Sequence, residues 1–199
     1  MKQHPILLLF LALYVGWGGW HWLSNRSVRA PDGVLVTAEP QQVMVANGEK
    51  IRRGHWTLTV RATYRITARV LGRETYNFDA LSDLIPQDIA LGWGPMSDSR
   101  VLHSMEMSQE NRFFNWRISA KTLIPMPVII THAANTHVIP ADRGVARQLL
   151  RLRPGEVVTL SGELVDAKRD DGRWINTSLT REDTGAGACE VMWVTDVSS

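Results

Sequence analysis

The stretch His55–Val70, HWTLTVRATYRITARV, alternates apolar and polar residues without a slip. Trp56, Leu58, Val60, Ala62, Tyr64, Ile66, Ala68 and Val70 share one face, and His55, the threonines and Arg61, Arg65 and Arg69 share the other. A period of two over this length specifies a half-buried β-strand, and β-branched threonine suits the solvated side. At ~3.3 Å per residue the run spans roughly 50 Å, longer than one straight strand usually extends. A bend or bulge inside it, carrying it across a strongly curved antiparallel sheet, is therefore expected.

On the C-terminal side, Asp79 and Pro86 suggest two short helices, the second ending at Gly92. Helical turns are also expected within Ser97–Met107, and a helix over Asp142–Leu150, capped by Asp142. Asn111–Ser119 returns to strand, and Met126–Ile130 reads as an apolar strand or buried segment. Residues 156–197 read as three terminal strands, with Asp171-Gly172 as a hairpin turn and Gly162 as the kink that a barrel corner requires. On the N-terminal side, Val34–Val36 and Val43–Val45 are strand candidates, and Asn47-Gly48 has the chemistry of a hairpin turn. The expectation is an α+β protein: an N-terminal transmembrane helix, then a mainly antiparallel β domain, a curved sheet or small barrel, with short inserted helices.

The membrane assignment rests on residues 1–24. Ile6–Val15 reads ILLLFLALYV, without a charge, and Trp17, Trp20 and Trp22 follow among glycines. Pro5–Leu23 would form a helix of about 28 Å, close to the ~30 Å hydrocarbon core. Its eight large apolar residues favour insertion by roughly 4 kcal/mol together, and the indoles suit the headgroup level. A cleaved signal peptide, leaving a secreted or periplasmic domain, is the alternative; bulky tryptophans crowd the small residues that a cleavage site would use. The short tail before the segment favours a body on the extracytoplasmic side, although Lys2 at one end and Arg26 and Arg29 at the other give no clean charge bias. Residues 25–33 read as a polar tether, and 34–199 as one extracytoplasmic domain.

Composition narrows the function. Lys and Arg number 22 against 20 Asp and Glu, a balance that argues against nucleic acid as partner. Cys189 is the only cysteine, which excludes an intrachain disulfide framework and Cys-rich zinc or iron–sulfur sites. His132 and His137 stand five apart, on opposite faces of a strand and off-axis on a helix, so no metal is expected, and nothing calls for a cofactor.

Three groups of residues carry candidate chemistry. Arg61, Arg65 and Arg69 repeat every four residues, about 13 Å apart, and would make a basic sheet face for anionic lipid or an acidic partner; the plainer reading is a solvated face. Trp93, in Gly92-Trp93-Gly94-Pro95, is either a recognition element or a plug of the core. Arg181 and Asp183 precede the small residues Gly185–Ala188 and then Cys189. Cys189 would act as a nucleophile only with His132 or His137 close by, with Asn135 orienting the ring.

The N-terminal anchor, the length, His132 before a helix and the late Cys189 resemble the layout of sortase transpeptidases. That resemblance implies a cysteine nucleophile with a histidine partner. The chain departs from the family at Ala186-Gly187-Ala188-Cys189, where sortases carry a Thr-Leu-x-Thr-Cys type strand. No Lys or Arg follows Arg181, so the family's oxyanion arginine has no counterpart. The leading expectation is thus a membrane-anchored binding or accessory module for a protein or cell-envelope partner. The alternative is a cysteine-dependent transferase or hydrolase using Cys189 with His132 or His137.

Overall fold

The computed structural model describes residues 26–199, together with Phe10 and Gly16. The anchor expected over 1–24 lies outside the described residues, among which no helix is long and apolar enough to cross a membrane. The domain is mostly β-sheet with a few short helices.

Its strands are β1 (Gln41–Met44), β2 (Lys50–Arg53), β3 (Trp56–Thr75), β4 (Gln87–Gly92), β5 (Glu106–Glu110), β6 (Phe113–Arg117), β7 (Ala133–Pro140), β8 (Val157–Arg169), β9 (Trp174–Ile175) and β10 (Glu190–Ser198). A 3₁₀ turn over Gly94–Ser97 leads into α1 (Ser99–His103); α2 (Met126–His132) precedes β7, and α3 (Arg143–Leu149) follows it.

The alternating run forms β3, and all eight of its apolar residues are at most 7 % exposed. One margin of β3 pairs with β8 from Trp56 to Arg69. The other is shared in succession by β2, β1 and β4. The expected distortion is present twice: pairing with β8 shifts register between Val60 and Ala62, and pairing with β4 shifts between Val70 and Gly72. These bulges let one long strand wrap around a core rather than run straight past it.

Pairing closes on itself. β3 pairs with β4, β4 with β7, β7 in parallel with β10, β10 with β8, and β8 returns to β3. An antiparallel three-strand meander, a helix (α3) after its last strand, and a final strand inserted in parallel beside that strand make the connectivity of an OB-type Greek-key barrel. Closure depends on Gly162, where a Cβ would lie 1.9 Å from the Trp193 carbonyl oxygen across the β8–β10 pair. Val145 and Leu149 of α3 join the barrel core, and Asp142 caps the helix by accepting from the Val145 amide at 2.9 Å.

Several local expectations are corrected. Gln87–Gly92 is a strand, not a helix: it pairs on both margins, with β3 and β7, and both of its faces are buried. Met126–His132 is a helix, with Pro127 in its first turn where no amide donor is needed. Asn47-Gly48 does not join a β1–β2 hairpin; both strands pair with β3, and Gly48 lies so close to its backbone that a Cβ would overlap the Val60 carbonyl. Val34–Val36 forms no strand: the Leu35 and Val36 amides donate to Ser97 Oγ at 3.0 and 3.1 Å. The tether expected over 25–33 is bonded to the barrel from Val28 onward. Val28 N–H donates to the Pro154 carbonyl at 2.7 Å, Ser99 Oγ to the Pro31 carbonyl at 2.9 Å, and Gly33 N–H to Asp98 at 3.0 Å.

Candidate active site

Asp88 on β4 and His137 on β7 are register partners. Ile89 and Leu91 on β4, and Ala134 and Val138 on β7, point into the barrel core. Alternation therefore turns Asp88, Asn135 and His137 outward. They are nonetheless buried, Asp88 completely, because the β5–β6 hairpin folds over this face.

The tip of that hairpin is Asn111-Arg112, with φ of 51° and 71°. Two successive positive φ values suit the tight turn of a two-residue hairpin and are uncommon outside glycine. The turn delivers Arg112 into the site. Its guanidinium donates to both oxygens of Asp79 at 2.8 and 2.9 Å, to Asp88 at 3.1 Å and to the Ile85 carbonyl at 2.9 Å. It also stacks 3.8 Å from the centre of the Tyr76 ring. The Asp79 carboxyl is held below its ordinary range, chiefly by the hydrogen bonds from Arg112.

His137 Nδ1 meets Asp88 Oδ1 at 2.8 Å. Burial opposes charge on the ring, but hydrogen bonds to Asp88 and Cys189 outweigh it, and the pKa rises to about 9. Nδ1 is committed to the carboxylate, and Cys189 acts on the ring as its second neighbour. Cys189 Sγ receives a hydrogen bond from Asn135 Nδ2 at 3.6 Å and lies 4.0 Å from the Arg112 carbonyl. Asn135 is fixed on both sides: Nδ2 donates to the Arg112 carbonyl at 2.9 Å, and Oδ1 accepts from Gln109 at 2.7 Å. The thiol itself is only partly buried, at the end of the small-residue loop.

Of the residues singled out from sequence, the structure brings together Cys189, His137 and Asn135. His132 is engaged elsewhere. Its Nδ1 meets the Val128 carbonyl at 2.9 Å, and its Nε2 is 3.5 Å from Glu39. Trp93 is fully buried and donates to Glu39 at 2.7 Å, as a plug of the core. Arg181 pairs with the buried Glu190, bonds Gln42 at 2.9 Å and covers the Tyr64 ring; Asp183 accepts from Ser178 at 2.7 Å. Burial pushes the Glu190 carboxyl up to about 7, with Arg181 pulling against it.

The three arginines of β3 do not act alike. Arg61 pairs with Asp166 at 2.8 Å, and Arg65 donates to Ser161 at 2.9 Å. Arg69 is buried against the Ser97 carbonyl and Ser99 Oγ, both at 2.9 Å. Sequence reasoning missed Asp88, Arg112, Asp79 and Gln109. Asn111-Arg112 between two strand-like runs was the available signal, since Asn tolerates the left-handed conformation that such a turn requires.

A partly exposed thiol, a histidine oriented by a carboxylate and a fixed amide donor are gathered here, the kinds of group that covalent catalysis uses. Among the described residues no group of three or more His, Cys, Asp or Glu is placed to hold a metal ion. Compared with known proteins, the chain matches no family model, no curated protein and no solved structure.

Proposed function

We propose that this is a membrane-anchored, extracytoplasmic domain that uses Cys189 as the nucleophile of an acyl transferase or hydrolase. One observation carries the reading: Asp88 holds His137, and Asn135, two residues earlier on the same strand as His137, donates to Cys189, so that side chains from three separate strands or strand ends converge on one site. In the proposed cycle the thiolate attacks the carbonyl carbon of an ester, thioester or amide. A C–S bond forms, the bond to the leaving group breaks, and His137 gives that group its proton. Water or an acceptor alcohol or amine then attacks the thioester and returns a proton to His137, freeing Cys189. Asn135 Nδ2, beside the sulfur, supplies a donor to the developing oxyanion.

Alkylation kinetics test the proposal on the full chain. Cys189 is expected to react with iodoacetamide at pH 7 faster than a model thiol, and His137→Gln to slow it about tenfold. A thiol inert until denaturation, with undiminished function in Cys189→Ala, would overturn the reading.

A second reading, a non-catalytic binding module for a protein or envelope partner, is favoured by the barrel rim. Phe78 is fully exposed on the Tyr76–Pro86 loop, and Trp174 is 68 % exposed beside the β8–β9 turn. Arg173 donates to the Ala80 carbonyl at 3.4 Å and Arg169 pairs with Asp83 at 3.3 Å, drawing these two segments together. Loss of partner capture in Phe78→Ser/Trp174→Ser, with capture retained in Cys189→Ala, would select this reading over the first.

A further inference from the structure

A cavity of about 470 Å³ lies between the N-terminal strap and the barrel wall, lined among others by Val28, Arg29, Arg69, Leu71, Leu102 and His103. Arg69 is its unusual feature. The side chain is 93 % buried, yet its hydrogen bonds go to two neutral oxygens of Ser97 and Ser99, and its Nε has none. The nearest acid acting on it, Asp98, already accepts from Arg100 at 2.8 Å and from the Gly33 amide. Buried charges are ordinarily paired. Here the cation stands without a carboxylate, on the wall of a space large enough for a counter-anion.

The cavity's position narrows that anion. Val28 is fastened to Pro154 and stands five positions after Leu23, the last residue of the proposed anchor. Five extended residues reach at most about 18 Å. On the anchored reading, that reach keeps the cavity within about 18 Å of the end of the anchor. Its lining mixes guanidinium with aliphatic walls from Leu71 and Leu102, which suits a phosphodiester attached to a glycerol and acyl chains. Asp32, also on the wall, interacts with Arg100.

We infer that this cavity binds the phosphate headgroup of an anionic phospholipid, with Arg69 and Arg29 as its cationic partners. The inference rests on the anchored reading for the source of the phosphate, and on the cavity alone for the anion.

The full chain, reconstituted with phosphatidylcholine and phosphatidylglycerol and released for native mass spectrometry, tests it. The expected result is selective retention of phosphatidylglycerol, about tenfold over phosphatidylcholine, whose choline cation beside the phosphate is repelled by the two guanidiniums. Arg29→Gln should abolish the preference with melting unchanged; Leu102→Trp, which fills the cavity, and Arg69→Gln should do the same if they fold. Equal retention of the two lipids, or a preference untouched by Leu102→Trp, would overturn the site. Displacement of the lipid by millimolar inorganic phosphate would overturn the lipid assignment in favour of a soluble anion. Release of the full chain by alkaline carbonate refutes the anchor separately, and selective lipid retention in detergent would then still support the cavity.

Discussion

His137 Nδ1 lies 2.8 Å from Asp88 Oδ1, and the two residues face each other across the β4–β7 pair with no backbone offset. The pairing ties the ring to a buried carboxylate on the neighbouring strand, so its protonation is coupled to folding.

That coupling has a defined direction. The pKa of His137 rises from 6.5 to about 9 on folding. Its stabilisation is therefore fully present below pH 6.5 and is lost as pH climbs through 9. Urea midpoints between pH 6 and 10 should fall for the parent chain, and the His137→Gln variant should lose most of that slope. Parallel curves would exclude the histidine as the source.

Glu190 contributes in a lower window. Its carboxyl rises from 4.5 to about 7 through burial, so stability is fully present below pH 4.5 and declines as pH rises through 7. Glu190→Gln should flatten the profile there. Arg181→Ala should steepen the decline, because it removes the cation opposing that burial cost.

Arg112 should be among the most sensitive side chains in the molecule. Removing it leaves the fully buried Asp88 with His137 alone and takes from Asp79 both bonds to the guanidinium, leaving it the Leu81 amide. Arg112→Ala is expected to cost about 3–5 kcal/mol in chemical denaturation, as for a broken buried pair. Lysine should not rescue it, lacking the planar fork. Arg117 pairs with Glu106 at 3.0 Å, but both are largely exposed, and Arg117→Ala should change stability by less than about 1 kcal/mol.

Gly162→Ala should prevent proper closure, since the new methyl would collide with the Trp193 carbonyl. A loss of about 3 kcal/mol or more is expected. Gly172, at φ 92° but with open space around it, should tolerate alanine at a cost of about 1–2 kcal/mol from backbone strain alone. Thermal melts of the two variants separate collision from strain.

Much of the local architecture was legible. Strict alternation identified β3 and its buried face, Asp142 identified α3, and Asp171-Gly172 identified the β8–β9 hairpin. What escaped depended on partners distant in the chain. Gln87–Gly92 carries no alternation because the barrel core covers one of its faces and the β5–β6 hairpin the other, so its apolar run was open to a helical reading. The parallel β7–β10 pair that closes the barrel joins residues more than fifty positions apart, and no local signal encodes it. The same holds for the site. Cys189, His137 and Asn135 could be nominated from residue type, but choosing His137 over His132 required the register that sets Asp88 against it.

The long third strand also carries a liability. β1 and β2 shield its outer margin from Trp56 to Arg65. Shortening the chain past Arg53 would bare an unsatisfied ribbon of amides and carbonyls, the template on which a second molecule adds itself strand to strand. The residues ahead of the barrel thus serve as a guard against self-assembly, and fragments begun at His55 should precipitate or pair more readily than longer ones.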